Sequence, residues 1–460
     1  MNLYNILITS SFRSIILSKN IIIKGTLILT IAGILTKVLG FYNRILLTRI
    51  IGVKELGIYQ LIFPIYMLAI SFCCQGVSTA LTKHISYYLG TNEKRKAKYI
   101  FKYALILSIS FSIIFMTSIY ALSEPISIYL LKNSECSYLL KILSIALPFV
   151  AVKSCINAYF IGNGNSAIQG ISHFVEQLVR IITAYILTYT LSDINKDASL
   201  ATIAVVTGEV FSGILAILLF YNKNKSTINK NKDLTNCKDT LKYYIYDVIP
   251  ITTNNLIFTL FASLESILLP AMLFKYYNDS DSAMELYGMI TGIVIPFLLF
   301  PATITTSLST MLLPAISNAK AKENYNKIKS ALFICVSFCL ILGAVTCIGY
   351  TLLGQWACEF AFKSRDAGTI LSKMCFLCPF IYLCGVLSTI LNGVDKAFTN
   401  MIINVGGLII RIIFVNFYVP TQGLNAYILG MFISYISMLT LMTINIKKAL
   451  KPSLGSGQIN

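Results

Sequence analysis

The sequence predicts an all-α integral membrane protein of about 12 transmembrane helices, arranged as two six-helix lobes related by a pseudo-two-fold axis along the membrane normal. Three observations predict it. Hydrophobic residues make up 56% of the 460 positions and charged residues only 12%, with a mean hydropathy of +0.74, whereas soluble domains carry about 25% charged residues. The apolar residues come in runs of roughly 20 or more, the length a helix needs to cross about 30 Å of hydrocarbon. The chain also repeats itself. At an offset of 231 positions Gly57 falls on Gly288, Ser78-Thr79 on Ser309-Thr310, Leu81 on Leu312, Pro148-Phe149 on Pro379-Phe380, Gly162 on Gly393 and Arg180-Ile181-Ile182 on Arg411-Ile412-Ile413. Apolar identities arise easily in so hydrophobic a chain. A membrane-embedded Arg on an Arg, with Pro and Gly landmarks at the same ungapped offset, does not.

Twelve spans follow from the runs: 22–43, 57–88, 99–122, 138–161, 166–190, 199–221, 244–274, 284–314, 328–353, 367–391, 398–419 and 424–446. In lipid the backbone must satisfy its own hydrogen bonds within the segment, so these runs are helices. Several exceed one bilayer thickness and imply tilt or extension. Residues 1–21 form an N-terminal extension without a small-x-small cleavage site before the first span. The segment 222–242, rich in Lys, Asn, Asp and Thr, reads as a solvated linker between a first lobe at 22–221 and a second at 243–447, with a tail at 448–460. Six spans on either side of the linker give both lobes the same orientation, hence an axis along the membrane normal.

The basic residues sort by side. Twenty-two Lys and Arg fall on the side of the termini, including the 94–102 cluster and the linker; 8 fall on the other side and 7 within spans, of 37 in all. The positive-inside rule places both termini in the cytoplasm of a multi-pass plasma-membrane protein. The +18 net charge then reflects orientation and contact with anionic lipid, not nucleic acid.

No P-loop, HExxH, nucleophile elbow or Gly-rich nucleotide turn is present, so the sequence does not read as an enzyme and implies no cofactor. The 12 cysteines are scattered packing residues with one isolated CxxC at Cys375 and Cys378, and His84 and His173 are too far apart for a metal site. Duplicated membrane chains are commonly secondary transporters with the substrate site at the repeat interface, and ionisable groups inside spans mark such sites. Lys37 and Lys153 lie mid-span, and Arg180 and Arg411 are repeat equivalents placed to approach one central cavity from opposite sides. An excess of buried cations suits an anionic ligand such as a diphosphate, which Arg grips in a bidentate manner. Glu176 stands one turn from Arg180, the spacing of an intrahelical pair. Glu265, with no cation within a turn, is a candidate for coupling-ion binding or for pairing with Lys37. Arg44 and Arg49 end the first span, where snorkelling to the interface is the plain reading. Pro64, Pro148, Pro250, Pro296, Pro301 and Pro379 mark kinks, and the repeat-matched Pro148 and Pro379 are the hinge candidates.

The stretch 24–33 followed by Lys37, Gly40-Phe41, Arg49 and Gly52, then Gly57 to Gln60 and Phe63-Pro64, resembles the polysaccharide-flippase branch of the multidrug/oligosaccharidyl-lipid/polysaccharide exporter superfamily. Glu176-Gln177 with Arg180, and Tyr287-Gly288 followed by Thr310 to Ser317, resemble its sporulation-associated members. The resemblance implies two lobes around a cavity open alternately to each side, and a lipid-linked oligosaccharide as substrate: an undecaprenyl-diphosphate-linked saccharide serving spore-cortex peptidoglycan. Compared with flippases of vegetative peptidoglycan synthesis, Lys37 falls where those carry a cavity Arg and Arg49 matches. Asn43 replaces a second Arg, with Arg44 adjacent, and their basic residues in the second and eighth helices have no equivalent. The substrate-binding set implied is Lys37, Arg49, Lys153, Arg180 and Arg411. A cation-coupled drug or metabolite exporter and a non-transporting scaffold for cortex synthesis are the alternative readings. A single-chain transporter needs no partner to form its cavity, so a monomer is expected.

Overall fold

The computed structural model describes residues 33–165, 167–190, 197–224, 238–306 and 325–450, together with positions 309, 312 and 316. The N-terminal extension, the central part of the linker and residues 451–460 therefore lie outside the described residues, as does the start of the first expected span.

The described chain opens with one helical run, α1 (Gly33–Gly90). As a straight rod its 58 residues would reach about 87 Å, far more than a bilayer. It is instead a hairpin of the first two expected spans. Gly52 has φ +84°, a left-handed conformation open to glycine at no steric cost. The pieces on either side line one cavity, through Phe41 and Arg44 before it and Leu56 and Tyr59 after it. Gly52→Ala is expected to cost about 1–2 kcal/mol, read as a lower thermal midpoint in detergent.

The first half continues with α2 (Lys94–Ala121), α3 (Cys136–Ser144), α4 (Leu147–Gly162), α5 (Ala167–Thr190) and α6 (Ala198–Asn224). The second half is α7 (Lys238–Tyr277), α8 (Ser280–Leu299), α9 (Tyr325–Phe362), α10 (Arg365–Met374), α11 (Cys378–Gly393), α12 (Ala397–Gln422) and α13 (Leu424–Leu450). Among the described residues 9 helices are long and apolar enough to cross a membrane, or 10 with the bent α3–α4 pair taken as one span. Two features separate this from the expected twelve: two spans share the run α1, and α5, though 24 residues long, carries His173, Glu176, Gln177 and Arg180 and is not among them. The eighth expected span, 284–314, ends its first helix at Leu299 and resumes at 302–306.

The repeat is visible in the breaks. The fourth expected span is bent by 43° between α3 and α4, and Pro148 stands in the first turn of α4. Its counterpart is divided at Cys375–Leu377, and Pro379 stands in the first turn of α11. A proline tolerates the start of a helix because that N–H has no intrahelical partner.

In the first half α4 packs on α2 and α6, and α5 on α6; in the second α9 packs on α10 and α11, and α13 on α11 and α12. The halves meet where α1 lies against α7 and α8. Ser263 and Tyr244 of α7 donate to the carbonyls of Pro64 and Val77 of α1, at 3.0 Å each, and Asp247 accepts from both Lys83 and His84 at 2.9 Å. At the opposite end Gly57 meets its own repeat equivalent: a Cβ on Gly57 would sit 2.3 Å from the carbonyl oxygen of Met284, and one on Gly288 would sit 2.2 Å from that of Val53. Lys54 pairs with Asp281 at 2.7 Å beside this contact. Large apolar side chains such as Phe333, Leu352 and Phe417 stand more than half exposed on the outside, a surface suited to lipid and not to water.

Candidate functional site

Between the halves lies a cavity of about 800 Å³, walled by α1 and α5 on one side and α8 and the segment following it on the other. Its charged lining among the described residues is Lys37, Arg44 and Arg180, with no carboxylate. Gln60, Gln177 and Asn43 add amides, and Phe41, Phe63, Met67 and Phe300 make the apolar wall.

Among the described residues Lys37 makes one weak hydrogen bond, to the Thr306 hydroxyl at 3.4 Å. Arg44 donates to the carbonyls of Thr291 and Gly292 at 3.2 and 3.3 Å. These lie in a π-helical stretch of α8, Met289–Val294, where the wider turn displaces carbonyls from the usual ladder. Among the described residues Arg44 thus bridges the halves through neutral acceptors. The buried Oδ1 of Asn43 has no hydrogen-bond partner among the described atoms.

Arg180 is different, because its charge is already met. It reaches Glu176 at 2.5 Å, the expected intrahelical pair, and Glu209 of α6 at 2.8 Å. Lys153 of α4 bonds the same two carboxylates, Glu176 at 2.7 Å and Glu209 in close contact, and His173 sits 3.3 Å from Glu176. Two cations and two anions form a closed quartet, with the side chains of Lys153, Glu176 and Glu209 at least nine-tenths buried. A buried charge persists where it is paired in this way.

The structure brings together only part of the expected cationic set. Lys37 and Arg180 face the cavity. Lys153 does not, since it lies in the quartet behind Arg180. Arg411 does not reach the cavity opposite Arg180 either. It pairs with Glu265 of α7 at 3.5 Å and stacks over the Tyr435 ring at 5.7 Å within the second half. Glu265 accordingly pairs with Arg411 and not with Lys37. Arg49 is not among the described lining residues; it donates to the carbonyls of Ala361, at 2.7 Å, and Phe360. Two residues were missed. Glu209 carried the same signal as Glu176, an acid inside a span. Arg44 looked like a helix-end residue because nothing in a linear sequence shows that α8 covers it.

The chain is similar to known proteins in sequence and in fold. The chain is 26% identical to stage V sporulation protein B of Bacillus subtilis over 95% of its own length and 86% of that protein's. It is 20% identical to the lipid II flippase MurJ of the same organism over 93% and 82%. The solved inward-facing structure of a multidrug resistance MATE family transporter of the MOP superfamily superposes with a TM-score of 0.69 at 14% identity, covering 91% of this chain and 96% of that one. That likeness fixes the fold, a two-lobed all-α membrane protein. The family model for polysaccharide biosynthesis proteins matches residues 22–320, well over half of the chain, and the protein belongs to that family.

Proposed function

We propose that the protein is a flippase that carries an undecaprenyl-diphosphate-linked saccharide across the cell membrane by alternating access, with a peptidoglycan precursor for the spore cortex as cargo. The observation that carries this reading is the interlobe cavity with three cations and no carboxylate in its described lining. Lys37 and Arg44 have no carboxylate partner there, so their charge is available to a diphosphate, and Arg44 exchanges two neutral carbonyls for anionic oxygens in a charge-assisted bond. The amides of Asn43, Gln60 and Gln177 are placed for sugar hydroxyls. The lobes are 22–221 and 243–447, both termini are cytoplasmic, the protein acts as a monomer, and the breaks at Pro148 and Pro379 let each lobe bend as the cavity changes side. The similarity to stage V sporulation protein B and to a lipid II flippase supports the choice of cargo.

Native mass spectrometry of the purified protein with lipid II and with undecaprenyl diphosphate tests this. Wild-type protein is expected to bind both. Lys37→Ala with Arg44→Ala is expected to weaken both by about tenfold or more, the loss of hydrogen bonds from charged groups. Folded wild-type protein that binds neither lipid rules the reading out.

A further inference from the structure

The quartet behind Arg180 contains a lysine that the proposed binding step does not use. Lys153 sits between Glu176 and Glu209, and its side chain is 5% exposed. The same two carboxylates hold Arg180 through their remaining oxygens, and only Arg180 of the four lines the cavity. The formal charges cancel with Lys153 present. Without it, two carboxylates face one guanidinium, and the wall beside Lys37 and Arg44 carries a net negative charge.

We propose that Lys153 is a positioning residue that sets the charge of the first-lobe wall and with it the strength of the cavity's positive field. By occupying Glu176 and Glu209 it keeps the first-lobe wall neutral and leaves Lys37 and Arg44 to define an anion site. The same scaffold without the lysine has a first-lobe wall of net charge −1, which halves the cavity's excess of positive charge. The inference rests on the anionic-substrate reading above. It goes further in assigning the strength of the preference for diphosphates over cations to a residue that touches neither. A net charge added to a cavity wall at the distance of one side chain shifts binding of an anion on the order of tenfold in a partly shielded interior.

The test measures binding of farnesyl diphosphate and of tetraphenylphosphonium to the purified full-length protein. Wild-type protein is expected to bind the diphosphate and not the cation. Lys153→Met is expected to weaken the diphosphate on the order of tenfold and to exclude the cation less strongly. Adding Glu209→Gln to that variant restores neutrality and is expected to return both affinities to the wild-type pattern, a rescue that a merely structural lysine does not predict. Glu209→Gln alone leaves a net positive quartet and is expected to tighten the diphosphate, so the inference stays testable where Lys153→Met does not fold. Wild-type binding of the diphosphate with no change in affinity for either probe across these variants overturns this inference and leaves the functional reading standing. Folded wild-type protein that binds no diphosphate overturns both.

Discussion

Gly57→Leu is expected to abolish transport while leaving the protein inserted in the membrane. Gly57 and Gly288 are related by the internal repeat and face each other where the two halves close one end of the cavity. The atoms a new Cβ would strike are backbone: the carbonyl oxygen of Met284 at 2.3 Å, with Gly288 N at 3.2 Å. A main chain cannot turn aside as a flexible side chain does, so the helices must separate, at a cost of about 1–3 kcal/mol or more for a packed contact. The separation also pulls apart Lys54 and Asp281, now 2.7 Å apart, and the hold of Arg49 on the Ala361 carbonyl at 2.7 Å. Alternating access needs this end to shut while the other is open, so a wedge here stalls the cycle without touching the binding groups. Translocation of a fluorescent undecaprenyl-diphosphate saccharide in proteoliposomes measures it. Cysteines at 54 and 281 supply the structural readout, crosslinking in the Gly57 background and not with leucine. A normal rate in Gly57→Leu shows that the contact is incidental.

What the sequence reveals about this fold follows the range of each signal. Hydropathy runs report where helices are, because lipid forces every span to satisfy its own backbone. They do not report bends within a span, so the 43° break before Pro148 was foreshadowed only by the proline itself, whereas the reversal at Gly52 follows from the gap between the first two runs. The repeat offset identified Gly57 with Gly288 and Pro148 with Pro379 as landmarks, and the structure gives the first pair a direct contact. The i,i+4 rule found Glu176 with Arg180, since both lie on one helix. It could not find Lys153 or Glu209, which reach the same charges from two other helices, nor Arg44, whose acceptors belong to the opposite half. Identity at the offset also concealed a difference. Arg180 and Arg411 are equivalent in position, but Lys153, Glu176 and Glu209 correspond to Cys384, Gly407 and Thr440. The second half therefore has no quartet, and Arg411 is met by an acid from α7.

That difference gives Arg411 a structural role with a large expected effect. Arg411→Met is expected to destabilise the protein by about 3–5 kcal/mol, because it leaves the Glu265 carboxylate buried without its counter-charge. The side chains are 17% and 9% exposed, the pair is 3.5 Å apart, and neither Arg411 Nε nor Glu265 Oε1 has a hydrogen bond among the described atoms. Such a pair contributes little net stability, since its attraction barely offsets the desolvation of both ions. Glu265→Gln combined with Arg411→Met is accordingly expected to recover most of the loss, and thermal unfolding in detergent reads both steps. The double variant also separates this role from the one the repeat suggested. With Arg411 outside the described cavity lining, the double variant is expected to bind lipid-linked diphosphate as the wild type does, whereas Arg44→Ala is not. A double variant that is stable yet has lost diphosphate binding returns Arg411 to the substrate site, and the cavity then extends to both members of the repeat.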